Sequence, residues 1–134
     1  VNILHDRHTE NPLDKIHAIV NIDELQQLIR ESNEVEVDRS IYEYTTELTQ
    51  ATREHPMVQL GVSPRGALAV CRMAKAHAFL EGRNYMIPED IVAVFGDVCC
   101  HRIVLGTKAR MMEEKPENII KSVLESVKMP VIKK

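Results

Sequence analysis

The sequence predicts an all-α protein, a compact helical bundle with one short two-stranded β clip. Apolar residues recur at helical spacing along most of the 134 residues. Each such segment opens on a helix-capping residue or a proline. The chain has no Trp, two Phe and three Tyr. Ala, Leu, Ile, Val and Met therefore supply the apolar mass, which is typical of helices that pack closely on small side chains.

The first two predicted helices each follow a capping residue. Asn21 precedes a helix that we expect to end near Asn33. Asp38 precedes a second helix, which ends at His55-Pro56 because the residue before a proline avoids the α region. One face of the first helix carries apolar residues, namely Ile22, Leu25, Leu28 and Ile29.

A third predicted helix is central to the sequence. Ser63 is a favourable N-cap, Pro64 suits the first helical position, and Gly82 suits a left-handed C-cap. The segment between them is apolar nearly all round. Such a composition predicts a helix buried at the centre of the bundle.

Two further helices and the β clip complete the prediction. A fourth helix begins at Pro88, carries an apolar stripe as far as Leu105 and closes at Gly106. A final helix opens at Pro116 and ends at Met129-Pro130. The clip would pair two short extended segments, Val35–Val37 and Tyr85–Ile87.

Charge and cysteine usage exclude several classes of protein. A net charge of -3 disfavours general nucleic-acid binding, and no apolar run approaches the length of a membrane span. The odd cysteine count without a C-x-x-C pair indicates reduced thiols in a cytoplasmic protein. Two sets of residues could be considered as zinc ligands: Cys99 with Cys100 and His101, and His5 with His8 and His17. Neither set has structural-zinc spacing, so we interpret both as packing and surface residues. Nothing in the sequence supports catalysis by His55, His77 or His101 with Cys99 or Cys100.

Arg65 departs from the pattern of the other helix starts. Three predicted helices place acidic residues in the first turn, where the helix dipole favours negative charge, but the central helix places Arg65 there. A helix start and a guanidinium together suit an anion, above all a phosphate. Arg72 and Lys75 lie near the same helical face. The residues alone also permit a second interpretation, in which Arg65 is a solvated surface residue.

Five stretches of the sequence are shared with one known family: Ala51 to Pro56, Leu60 to Leu68, Glu81 to Tyr85, Pro88 to Ile91, and His101 to Leu105. Through them the chain, above all from Ala51 to Asp90, resembles the C-terminal lid domain of MoxR-type AAA+ ATPases. The Gly-x-Ser-Pro-Arg element before an Ala-rich helix is the most specific of them. Two positions depart from the family: Ile87 replaces a common Thr, and Gly66 replaces a common Ala.

The resemblance implies a nucleotide-sensing role. Arg65 would be the second sensor, which reaches from the lid towards the γ-phosphate of ATP, and Ser63 would support it as the helix cap. ATP and Mg would be bound mainly by a core domain outside this sequence, because no G-x-x-x-x-G-K-[ST] loop occurs here. We therefore expect the chain alone to be inactive.

The resemblance also implies a domain organisation and partners. Residues 1–20 would connect to the ATPase core of the same chain, residues 21–130 would form the lid, and residues 131–134 would be a tail. Other partners would be neighbouring subunits of a hexameric ring, and client proteins or proteins with von Willebrand factor A-like domains. We expect no binding to nucleic acid or to a membrane. The alternative is a stand-alone helical interaction module without a nucleotide role.

Overall fold

The computed structural model of this protein describes residues 16–131. The chain divides after Arg30 into two compact units. The predicted connector over residues 1–20 and the tail over 131–134 lie mostly outside the described residues, so both remain predictions. None of the described helices is long and apolar enough to cross a membrane.

Six helices and two short strands follow one another along the described chain. Their bounds are α1 Ile22–Asn33, α2 Arg39–Glu54, β1 Val58–Leu60, α3 Pro64–Leu80, α4 Pro88–Cys99, β2 Val104–Leu105, α5 Thr107–Met111 and α6 Pro116–Ser126. A 3₁₀ turn over Cys100–Arg102 joins α4 to β2. This architecture confirms the predicted all-α class.

Helix α1 confirms its predicted bounds. The Asn21 side chain accepts a hydrogen bond from the Glu24 backbone N–H at 2.9 Å, and the Glu24 carboxylate accepts one from the Asn21 N–H at 2.8 Å. This reciprocal capping box satisfies backbone donors that the helix leaves unpaired. No residue of α1 is buried, so its apolar face is solvent-exposed within the described chain.

The core lies between α2, α3, α4 and α6. Its largest fully buried side chains include Phe95, Ile41, Leu48, Met86 and Ile91. Helix α2 also buries three threonines, and each hydroxyl bonds to a backbone carbonyl of the preceding turn: Thr45 to Ile41, Thr49 to Thr46, and Thr52 to Thr49. These bonds satisfy the polar atoms that burial removes from water.

The predicted burial of α3 on all sides is wrong. Its buried residues, Gly66, Val70, Ala74 and Ala78, are small and recur every four positions, so they form a single stripe. Leu68 is 61% exposed and Leu80 is 82% exposed on the other sides. The apolar composition of α3 therefore reflects close packing on one side and an uncovered apolar surface on the other.

The sheet of the structure lies elsewhere than the predicted clip. Strands β1 and β2 pair antiparallel, with Val58 opposite Leu105. The predicted clip is reduced to one parallel bridge between Glu36 and Tyr85. The predicted extension of α4 to Leu105 is also wrong, because the chain leaves the helix after Cys99 and extends to pair with β1.

Two glycines with open surroundings give a test of backbone conformation. Gly82 ends α3 with a φ of 74°, and nothing lies within 4 Å of a Cβ added there. We expect Gly82→Ala to destabilise the fold by about 1 kcal/mol, because L-residues avoid left-handed φ. Gly96 lies inside α4 with equally open space, so Gly96→Ala should stabilise by about 0.5–1 kcal/mol. Urea denaturation measures both, and two changes of the same sign would contradict the difference in backbone conformation between Gly82 and Gly96.

Candidate functional site

The loop before α3 is held against the end of α2 by two side chains. The Thr52 hydroxyl, which is fully buried, accepts a hydrogen bond from the Val62 N–H at 2.9 Å. Nε of Arg53 donates to the Val62 carbonyl oxygen at 2.8 Å. Both backbone polar groups of Val62 are thereby bound by adjacent residues of α2, and we call this arrangement the Val62 clamp.

Gly61 permits this close approach. A Cβ at Gly61 would lie 2.7 Å from the backbone N and Cα of Arg53, which is closer than real Cβ atoms come. The glycine is therefore required for packing rather than for an unusual φ. Sequence reasoning did not find the contact of Arg53 with Val62.

The start of α3 follows directly from the clamp. Ser63 has extended backbone, and its hydroxyl accepts a hydrogen bond from the Gly66 N–H at 3.3 Å. Pro64 occupies the first helical position, where no N–H is needed. These contacts confirm Ser63 as the helix cap and fix the position at which Arg65 leaves the backbone.

Arg65 lies at a pocket of about 300 Å³. Its side chain is exposed and has no hydrogen bond or ion pair with any residue between 16 and 131. Seven residues line the pocket: Leu60, Gly61, Ser63, Arg65, Gly66, Ala69 and Arg102. None of these is a carboxylate, so Arg65 keeps its positive charge uncompensated at the start of a helix.

Arg72 and Lys75 do not line this pocket. Lys75 instead donates from Nζ to the Asn33 backbone carbonyl oxygen at 2.8 Å. The second cation at the pocket is Arg102, from the 3₁₀ turn after α4. Sequence reasoning missed it, because the end of α4 reaches the start of α3 only when the two helices pack side by side.

The absence of a side chain at Gly66 fits its surroundings. Gly66 is buried, and a Cβ there would lie 2.5 Å from Cγ1 of the fully buried Val62 and 3.5 Å from Cδ of Arg102. Alanine, which is common at this position in the family that the sequence resembles, is a better helix former than glycine. The structure instead gives a packing reason for glycine, since Val62 occupies the space that an alanine methyl group would need.

The other end of α3 is fixed by a buried carboxylate. Asp90 is 1% exposed and accepts hydrogen bonds from Arg83 Nη1 and Nη2 at 2.7 and 2.6 Å, and from the Ile87 N–H at 2.9 Å. Nδ1 of His77, near the end of α3, lies 2.7 Å from it. Burial raises the pKa of Asp90, but the bonds from Arg83, Ile87 and His77 outweigh burial and lower it overall.

These bonds also explain the departure at Ile87. Ile87 has no side-chain acceptor for a helix cap, yet its own N–H donates to Asp90 in the first turn of α4. The Asp90 carboxylate thus binds the start of α4 to Arg83 in the preceding loop. The connection between α3 and α4 is held without the side-chain cap that a threonine would provide.

The histidines and cysteines form no catalytic arrangement in the described residues. His55 lies 3.2 Å from the Ser122 hydroxyl, His77 faces Asp90, and His101 contacts Arg102. Burial raises the pKa of Cys99 to about 12, so it is a neutral thiol rather than a nucleophile. No group of three or more His, Cys, Asp or Glu side chains between residues 16 and 131 could hold a metal ion, while His5 and His8 lie outside this range.

The helical fold and the Ser-Pro-Arg helix start define a lid domain of the AAA type. Residues 50–123 match the AAA lid domain family, and the chain belongs to this family. It is 36% identical over 131 residues to the protein YeaC of Bacillus subtilis (strain 168), which covers 98% of this chain and 41% of YeaC.

Two further comparisons agree. Chaperone MoxR1 of Mycobacterium tuberculosis is 33% identical over 105 residues, or 72% of this chain and 28% of that protein. The solved structure of a proposed ATPase from Cytophaga hutchinsonii has a TM-score of 0.85 at 29% identity, over 97% of this chain and 42% of that one. The chain is therefore a lid domain of the MoxR type, and it spans about two fifths or less of the length of these relatives.

Gly66 and Val62 provide a test of the packing at the helix start. We expect Gly66→Ala to destabilise the fold by about 1–3 kcal/mol through overpacking, even though alanine favours helix. In Val62→Ala/Gly66→Ala the new methyl group enters the space that Val62 vacates. The double variant should therefore be more stable than the sum of the two single changes predicts, by about 1 kcal/mol in denaturant unfolding. Strict additivity would show that Val62 does not exclude the methyl group.

Asp90 makes stability sensitive to acid. Because its pKa is lower in the folded chain, its stabilising contribution is complete above the unfolded-state value of about 4 and is lost as pH falls through the lower folded-state value. We expect the free energy of unfolding to fall below about pH 4, and to fall less steeply in Asp90→Asn. Asp97→Asn, at an exposed position on the same helix, is the matched control. Parallel pH profiles for Asp90→Asn and the wild type would refute this role.

Proposed function

We propose that this lid contributes Arg65 as the second sensor of a MoxR-type AAA+ ATPase, in which it contacts the γ-phosphate of ATP and supports hydrolysis. The observation that carries the proposal is the exposed Arg65 guanidinium, which has no partner within residues 16–131, at a helix start fixed by the Val62 clamp. A fixed helix start with an unpaired guanidinium favours an external anion over an internal salt bridge.

The positive charge at the start of α3 favours binding of a phosphate group that appears and disappears during ATP turnover. Arg65 carries a permanent positive charge, and the first turn of α3 adds the positive end of the helix dipole. Among residues 16–131, no carboxylate lines the pocket to compete with an incoming anion. Arrival of the γ-phosphate would thus be favourable, and its loss on hydrolysis would remove the interaction.

This difference can couple nucleotide state to lid position. A ligand shifts a conformational equilibrium only by its difference in affinity for the two states. A γ-phosphate bound through Arg65 would favour the lid position near the core, and ADP would not. The motion would then drive chaperone-like remodelling of client proteins, beside partner proteins with von Willebrand factor A-like domains.

The proposal also names the domain and the subunits that the lid would contact. ATP and Mg would be bound mainly by the core domain of the same chain, and neighbouring subunits would complete a hexameric ring in the cytoplasm. The exposed Leu68 and Leu80 of α3 are available for contacts with other protein surfaces. A stand-alone helical interaction module would also have exposed apolar side chains, but it gives no reason for an arginine at the position of Arg65.

The test compares ATP turnover in the full-length protein with and without Arg65. We expect Arg65→Ala to lower turnover about tenfold or more, because a hydrogen bond to a charged group contributes about 1.5–3 kcal/mol. Arg72→Ala is the matched control, since Arg72 is exposed on the same helix but does not line the pocket. Circular dichroism checks that each variant folds. Wild-type turnover in a folded Arg65→Ala protein would reject the sensor assignment.

A further inference from the structure

Arg102 reaches the pocket of Arg65 by lying across the first turn of α3. Its Cδ is 3.5 Å from the position that a Cβ of Gly66 would take. The aliphatic stem of Arg102 therefore lies in van der Waals range of the helix start. Arg102 and Arg65, which are 37 positions apart in the sequence, therefore line one pocket.

The Arg102 guanidinium is held on one side only. Nη1 donates to the Val98 carbonyl oxygen at the end of α4 and contacts Nε2 of His101. Its other nitrogens, Nε and Nη2, have no hydrogen-bond partner within the described part of the chain. Bonds to one nitrogen restrict the orientation of the guanidinium and leave donors for a ligand.

The charge balance of the pocket is unusual for this chain. The sequence has 20 acidic and 17 basic residues, but the seven lining residues include two arginines and no carboxylate. Two like charges at one pocket repel each other unless an anion lies between them. Two planar guanidinium donors suit a tetrahedral phosphate, which offers several acceptor oxygens.

We propose that Arg102 binds the terminal phosphate of ATP together with Arg65, and that the pair gives the lid its preference for ATP over ADP. This inference rests on the proposed function, because it requires Arg65 to contact the γ-phosphate. It adds a second ligand-contacting residue from a different element. The preference then depends on the packing of α3 against α4, and not on the Ser-Pro-Arg element alone.

The experiment measures the affinity of the full-length protein for ATPγS and for ADP. We expect Arg102→Ala to weaken ATPγS binding about tenfold and to leave ADP binding within about twofold, because only ATPγS carries the terminal group. Arg102→Lys should recover only part of the loss, since an ammonium lacks the planar set of donors. Arg72→Ala, which changes an exposed arginine outside the pocket, should bind both nucleotides like the wild type.

A shared phosphate also predicts coupling between the two arginines. Arg65→Ala/Arg102→Ala should lose less ATPγS affinity than the product of the two single losses, because the first substitution already disrupts the site. Thermal unfolding separates this role from a structural one. If Arg102 only caps α4, Arg102→Ala will lower the melting temperature while the ratio of ATPγS to ADP affinity stays at the wild-type value, and the inference is overturned.

Failure of this inference is distinguishable from failure of the sensor assignment. Loss of turnover in Arg65→Ala, with wild-type ATPγS affinity in Arg102→Ala, rejects the Arg102 role and keeps the sensor. Wild-type turnover in Arg65→Ala, with weakened ATPγS binding in Arg102→Ala, rejects the sensor and the sharing of one phosphate by the two arginines. Equal losses of ATPγS and ADP affinity in Arg102→Ala also overturn the proposed preference.

Discussion

The site depends on the Val62 clamp. Thr52 and Arg53 bind the N–H and the carbonyl of one residue, and Gly61 lets the loop approach the α2 backbone closely enough for both bonds. The loop then enters α3 at a fixed position and direction. A guanidinium at the second helical position can serve as a sensor only if the helix start is fixed, because a small displacement would move its donors away from a phosphate.

The charged side chains at the two ends of α3 differ in whether they have partners. At its C-terminal end Asp90 is buried and bonded to Arg83 and His77, so the connection to α4 is internally satisfied. At its N-terminal end two arginines share a pocket to which the described part of the chain contributes no carboxylate. The satisfied end stabilises the helix pair, and the uncompensated end is available to a ligand. Both ends depend on the same packing of α3 beside α4.

Local signals predicted the helix starts well. Asn21, Asp38 and Ser63 cap their helices because capping involves only the next two or three residues, which the sequence displays directly. Gly82 ends α3 with positive φ for a similarly local reason. The Ser-Pro-Arg element therefore located the candidate site before any tertiary contact was known.

Features set by distant contacts were predicted poorly. Strand β2 forms because β1 lies beside it, and this pairing ends α4 earlier than its apolar stripe indicated. Composition showed that α3 is apolar but not which side is covered. The contribution of Arg102 depends on the packing of α3 against α4. This packing has no signature in the spacing of the motif.

The most direct measurement is a crystal structure of the full-length protein with ATPγS bound. We expect a nitrogen of the Arg65 guanidinium within hydrogen-bond distance, about 3 Å, of a γ-phosphate oxygen. We also expect the Val62 clamp to be retained in that state. A γ-phosphate bound only by residues of the core, with Arg65 directed into solvent, would contradict the sensor assignment.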